Sequence, residues 1–162
     1  MLSKSAVSAR GGRRTALVVG AIGLSLAGAL PASASTTTAQ SGTPHLLGLS
    51  VESHATYDRV ILDVSSIPGY TVTATDELVG DGSGKDITLP NSNTYLDVEL
   101  HPADSTGFSG PTRITTGDPE VAAVAELSSF ESYVQVGIGL DHASSYTVTA
   151  LSPTQLAIDV AH

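Results

Sequence analysis

Asp97 and Glu99 stand two residues apart in the segment Thr-Tyr-Leu-Asp-Val-Glu-Leu, 94–100. On a strand that spacing puts both carboxylates on one face, with α-carbons about 6.5 to 7 Å apart. Carboxyl pairs at such separations perform glycoside hydrolysis, one as acid and the other as base or nucleophile. Alternation of this kind also marks any strand with one wet face, and that is the reading the pattern favours. A second acidic group, Asp76, Glu77, Asp81 and Asp86, surrounds the turn Asp-Gly-Ser-Gly, and calcium takes several carboxylate oxygens from a flexible loop. The ordered spacing of a calcium loop is missing and Lys85 sits inside the group, so a plain β-turn is expected. His45, His54, His101, His142 and His162 are scattered, with no pair four apart, so zinc would have to be gathered across distant loops. Gly107-Phe108-Ser109-Gly110-Pro111 approaches a nucleophile elbow, but Pro111 stands where the second glycine belongs and no strand leads in. With no cysteine in the chain, thiol catalysis and disulfides are excluded. These residues predict no catalytic site, no metal and no cofactor.

The elements that would position these groups are strands. Tyr-Thr-Val-Thr-Ala occurs at 70–74 and again at 146–150, 76 residues on, and the segments before each copy also match. Setting 59–74 against 135–150 pairs Val60 with Val136, Leu62 with Ile138 and Val64 with Leu140, an apolar alternation that reads as strand, turn, strand in both copies. The pattern predicts one hairpin used twice. Each such hairpin has one apolar face to cover, which leads to an all-β fold, a two-sheet sandwich or a partly closed barrel. A further echo matches Arg-Val-Ile-Leu-Asp-Val, 59–64, with Gln-Leu-Ala-Ile-Asp-Val, 155–160, and places Asp63 and Asp159 at equivalent outward positions. Asp63 and Asp159 are the candidate binding residues, although outward charges also serve to keep a face wet and discourage edge pairing.

Strands are expected at 46–51, 58–64, 70–75, 86–89, 94–100, 133–140, 146–151 and 155–160, separated by Gly, Pro, Asn and Asp turns. The Gly-, Pro-, Ser- and Thr-rich stretch 101–119 is too long for an ordinary connection and reads as a functional or mobile loop. Segment 121–127 is left open between helix and strand, because Asp118-Pro119-Glu120 has the form of a helix start while the apolar run suits either.

The N-terminus has three parts: Lys4, Arg10, Arg13 and Arg14, then the apolar run 16–30, then Pro31-Ala32-Ser33-Ala34. These are the parts of a secretory signal, with a run short of the ~18 to 20 residues of a spanning helix. The expected organisation is a leader over 1–34, a flexible linker over 35–44 and a β domain over 45–162. Arg13-Arg14 leaves the general and twin-arginine export routes both open. Cleavage leaves 128 residues with three Lys or Arg against sixteen Asp or Glu, a formal charge of −13. Phosphate-rich partners are then disfavoured, both nucleic acid and anionic membrane.

The residues Tyr-Asp-Arg-Val-Ile-Leu-Asp-Val with Pro-Gly-Tyr-Thr-Val downstream, the Asp-Gly-Ser-Gly turn, Phe130-Glu131, Gly-Ile-Gly-Leu-Asp at 137–141 and the closing Leu-Ala-Ile-Asp-Val-Ala-His occur together in this order. The set resembles the AMIN-like domain of secreted actinobacterial proteins, over about 47–162. The resemblance implies a β-rich envelope domain, related to modules that direct wall amidases to peptidoglycan, and favours a strand over 121–127. This chain departs from the family pattern in having no lipobox cysteine, so no membrane tether is expected after cleavage. It also has Val136 where tryptophan is expected, which weakens sugar stacking there. The combined expectation is a secreted, wall-associated, non-catalytic domain that binds cell-wall glycan or an envelope protein. A secreted glycan hydrolase using Asp97 and Glu99, and a calcium-dependent adhesion module, are the alternatives.

Overall fold

Leu96, Val98 and Leu100 alternate with Asp97 and Glu99, so their strand can bury one row of side chains and leave the other for a second environment. That logic repeats along the chain. A computed structural model describes residues 42–81 and 83–162, so the expected leader and most of the linker lie outside the described residues. Eleven strands are described: β1 Leu46–Ser53, β2 Tyr57–Val64, β3 Gly69–Thr75, β4 Leu78–Val79, β5 Asp86–Ile87, β6 Thr94–His101, β7 Arg113–Thr115, β8 Val121–Phe130, β9 Tyr133–Leu140, β10 Tyr146–Ser152 and β11 Gln155–Ala161. They form a four-stranded sheet in the order β1-β2-β11-β10, a five-stranded sheet in the order β3-β6-β9-β8-β7, and the small hairpin β4-β5. The fold is all-β and sandwich-like, and among the described residues no sheet closes into a barrel.

The two larger sheets enclose one apolar core. Val60, Leu62 and Val64 of β2, Leu156, Ile158 and Val160 of β11, Leu96, Val98 and Leu100 of β6, and Val134, Val136, Ile138 and Leu140 of β9 are all at most 1% exposed. Val136, which takes the place expected for tryptophan, is therefore an inner core residue.

The repeated unit requires a correction. Both copies are strand, turn, strand as expected, but neither is a hairpin, because β2 and β3 belong to different sheets, and so do β9 and β10. Alternation fixes which face a side chain takes, not which strand lies beside it. Here the two apolar faces of each unit meet across the core instead of lying side by side. The first unit crosses from the four-stranded to the five-stranded sheet and the second crosses back. Both Tyr-Thr-Val-Thr-Ala copies end up as edge strands, β3 and β10, and the Tyr146 hydroxyl donates to the Val72 carbonyl at 3.0 Å, joining the two edges.

Segment 121–130 is a strand, as the resemblance implied. The helix-like apolar run arises because β8 is buried on both faces: Val121 and Val124 belong to the main core, while Ala123 and Ala125 belong to a second cluster with Leu78, Leu89 and Tyr95. A strand covered on both sides reads as continuous apolar sequence and gives periodicity nothing to detect. The cover is the β4-β5 hairpin, which lies over the outer face of the five-stranded sheet. Close approach of this hairpin to Gly137, and of the connection from β5 to β6 to Gly139, explains the glycines of 137–141. A Cβ on Gly137 would lie 2.8 Å from Leu78 Cδ1, and one on Gly139 would lie 1.9 Å from Ser92 Oγ.

Stretch 101–119 is tied down along its length. Leu46 N–H donates to the Asp104 carbonyl, Ala103 N–H to Ser132 and Ser109 N–H to Leu47, at 2.7 to 2.9 Å. Phe108 packs on the core, and β7 within the stretch pairs with β8.

Candidate functional site

The outer face of the five-stranded sheet is laid out in rows by strand register. Thr73, Asp97, Gly137 and Ala125 form one row, and Thr71, Glu99, Gln135 and Ser128 the next. Beyond them, at the end of the sheet, come Gly69, His101, Tyr133 and Phe130. The sheet thus brings Asp97 and Glu99 to one face, as the alternation predicts, but gives them different roles.

Asp97 is engaged beneath the β4-β5 hairpin. Gln135, 1% exposed, donates from Nε2 to both Asp97 carboxylate oxygens at 3.1 Å and to the Val79 carbonyl at 2.9 Å, while its Oε1 accepts from Asp81 N–H at 3.0 Å. One buried amide on β9 therefore fastens the hairpin to the sheet and holds Asp97 as well. Burial raises the Asp97 pKa above the ordinary carboxylate value, the Gln135 hydrogen bond opposes the shift, and Asp81 adds to it. Glu99 is raised as well, first by desolvation and then by its neighbours Asp81 and Asp97.

Glu99, but not Asp97, lines an open depression of about 320 Å³ together with Gly69, Tyr70, Thr71, His101 and Tyr133. The His101 and Tyr133 rings stack there with centroids 4.0 Å apart and planes 21° from parallel. Phe130 lies directly across from Tyr133 on the same face, and these two rings are 59% and 41% exposed. Their pairing is fixed by the two-residue turn between them, where Glu131 and Ser132 both take left-handed backbone, at φ 47° and 67°. Turns of this form match strand twist but ordinarily use glycine or asparagine. The sequence reading missed this aromatic group because it looked to position 136. The available signal was Phe-Glu-Ser-Tyr, two aromatics flanking a two-residue turn.

Asp63 and Asp159 lie on the outer face of the other sheet, each held by the opposite copy of its own echo. β2 and β11 are antiparallel neighbours, so Arg59 faces Asp159 and Gln155 faces Asp63. Arg59 makes a two-pronged pair with Asp159, Nε to Oδ1 at 2.6 Å and Nη2 to Oδ2 at 2.7 Å, and Gln155 Nε2 donates to Asp63 at 2.9 Å. The hydrogen bond to Asp159 raises the Arg59 pKa still further.

The remaining candidates are dispersed. Each histidine has its own neighbour: His45 with Asp104 at 2.5 Å, His54 stacked on Tyr57, His101 on Tyr133, His142 at 2.9 Å from Glu120, and His162 at 3.6 Å from Asp58. Asp58 is fully buried and accepts from the N–H groups of Glu120 and Val121, fixing the start of β8. Those contacts occupy the segment that resembles a helix start. Asp76, Glu77 and Asp86 line a smaller depression of about 210 Å³ beside the hairpin. Among the described residues, no three His, Asp or Glu side chains gather closely enough to hold a metal ion. In 107–111 both glycines take positive φ, 82° and 101°, and Ser109 binds the Leu47 carbonyl, the geometry of a turn.

A family model described as the AMIN-like domain matches residues 44–162, the span that contains every described strand. No curated protein and no solved structure matches the chain.

Proposed function

Because the chain belongs to the AMIN-like domain family, whose members are cell-envelope domains, we propose that it is an exported, non-catalytic module that binds wall glycan through the open end of the five-stranded sheet. The observation that carries this reading is the row His101, Tyr133 and Phe130 beside Glu99 and Thr71. A flat aromatic surface covers the apolar face of a sugar ring, and the polar groups next to it meet the ring's hydroxyls. Shallowness suits a polymer. The division of labour between Asp97 and Glu99 favours binding over hydrolysis, since a cleaving pair must face the same bond and only Glu99 reaches the depression.

Sedimentation of the purified domain with insoluble peptidoglycan, and separately capture of envelope proteins, tests the proposal. Tyr133→Ala and Phe130→Ala should each weaken glycan binding by about tenfold, corresponding to ~1.4 kcal/mol, with unchanged melting temperature. Asp63→Asn and Asp159→Asn probe the other outer face in the same assay. Full binding by both aromatic variants would remove this site. Loss with Asp63→Asn or Asp159→Asn alone would move the contact to the four-stranded sheet. Soluble sugar fragments released by the wild-type domain and abolished by Glu99→Gln would establish the hydrolase reading instead.

A further inference from the structure

Glu99 is the one carboxylate that the groove offers, and its surroundings are electrostatically lopsided. Gln135 spends its donor on Asp97 and Val79. Among the described residues neither Glu99 nor Asp97 forms an ion pair. The neighbouring charges that raise the Glu99 pKa are those of Asp81 and Asp97, both negative. Of the three Lys and Arg in the described chain, Arg59 is bound to Asp159 on the opposite sheet, Lys85 lies in the β4-β5 hairpin and Arg113 on β7 at the far edge. The neighbouring residue on the edge strand is Thr71, a short side chain that leaves Glu99 approachable from the side. On the other side Gln135 lies opposite Glu99, and in the next row the Tyr133 ring, partly exposed and stacked on His101, lines the same depression.

A carboxylate without a cation, lining one depression with aromatic rings, is an arrangement that recognises an amine: a ring attracts the cation through its π face and the carboxylate accepts its N–H groups. We propose that the glycan bound in this groove carries free, protonated amino groups, and that Glu99 pairs with one of them while Tyr133 stacks on the ring that bears it. The inference rests on the glycan-binding reading above and narrows it to unacylated amino sugars. A domain with sixteen acidic residues against three Lys and Arg also draws a cationic polymer toward it over longer distances. That general attraction does not select one face, whereas Glu99 and Tyr133 do.

Titration of the domain with soluble glucosamine oligomers, their fully N-acetylated counterparts and oligolysine of equal charge separates the possibilities. The amine oligomer should bind about tenfold tighter than the acetylated one, as expected for one charge-assisted hydrogen bond at a partly open site. Glu99→Gln should bring the two within about twofold of each other. Tyr133→Ala should weaken both, and Asp141→Asn, an exposed carboxylate at the other end of β9, should leave the preference intact. Equal binding of both oligomers by the wild-type domain would overturn the inference and leave glycan binding standing. No binding of either would overturn both. Oligolysine binding as tight as the amine oligomer, or an Asp141→Asn effect as large as that of Glu99→Gln, would reduce the effect to charge alone and sink the inference.

Discussion

Among single residues, Glu99 and Asp97 show how one alternating pair acquires two functions. Two positions apart on β6 they share a face, yet Gln135 reaches only Asp97 and draws it under the hairpin. Both carboxylates have pKa values raised by desolvation, so each binds a proton more readily folded than unfolded. The sign follows from linkage: between the unfolded and the raised folded pKa the native state holds more protons, so stability falls as pH rises through that window. Glu99→Gln should therefore raise the melting temperature at neutral pH, and the gain should fade as pH is lowered below the carboxylate range. Thermal scans across that range check it, and a gain of constant size at every pH would contradict the cause assigned. The sequence displayed both carboxylates and both echoed aspartates. It could not display Gln135 beneath a hairpin, nor that Asp63 and Asp159 would each be met by the first residue of the opposite echo, because those contacts join positions 38 to 100 apart.

For the elements, legibility depended on how many faces a strand buries. β2, β6, β9 and β11 have a core face that alternates cleanly, and their predicted bounds lie within one or two residues of the observed ones. β8 is buried on both faces over 121–125 and its pattern suited helix and strand equally, while β4 and β7, with two and three residues, were too short to carry a pattern. On the inner face, Leu62→Ala and Ile138→Ala should each cost about 2 to 5 kcal/mol in chemical denaturation. Ile61 is 7% exposed but lies outside the inner cluster, on the outer side of β2, and Ile61→Ala should cost clearly less. Equal losses at all three would contradict the assigned faces. Gly139→Ala tests the seat of the connection between β5 and β6. Its Cβ would meet Ser92, whose Oγ can swing away while its Cβ at 2.8 Å cannot, so the expected loss is about 1 to 3 kcal/mol.

On the scale of the whole molecule, the acidic balance and the aromatic groove point the same way, toward a neutral or cationic partner. Export itself is a proposal that lies with residues 1–34, outside the described structure. Intact-mass measurement on secreted material should find a chain beginning at Ser35, and a species retaining 17–30 would contradict cleavage. The strand order bears on delivery in a further way. β11, last in sequence, lies between β2 and β10 and is bonded to both, so the four-stranded sheet lacks an interior member until residues 155–161 arrive. β2 waits roughly ninety residues for that partner, a long-range closure of the kind that slows folding. A chain threaded N-terminus first, through a ribosome or a membrane pore, consequently emerges with its four-stranded sheet incomplete. Its last strand is a keystone: all five strands of the other sheet, ending at Leu140, are already present, while β2 and β10 have no shared neighbour until residues 155–161 join them.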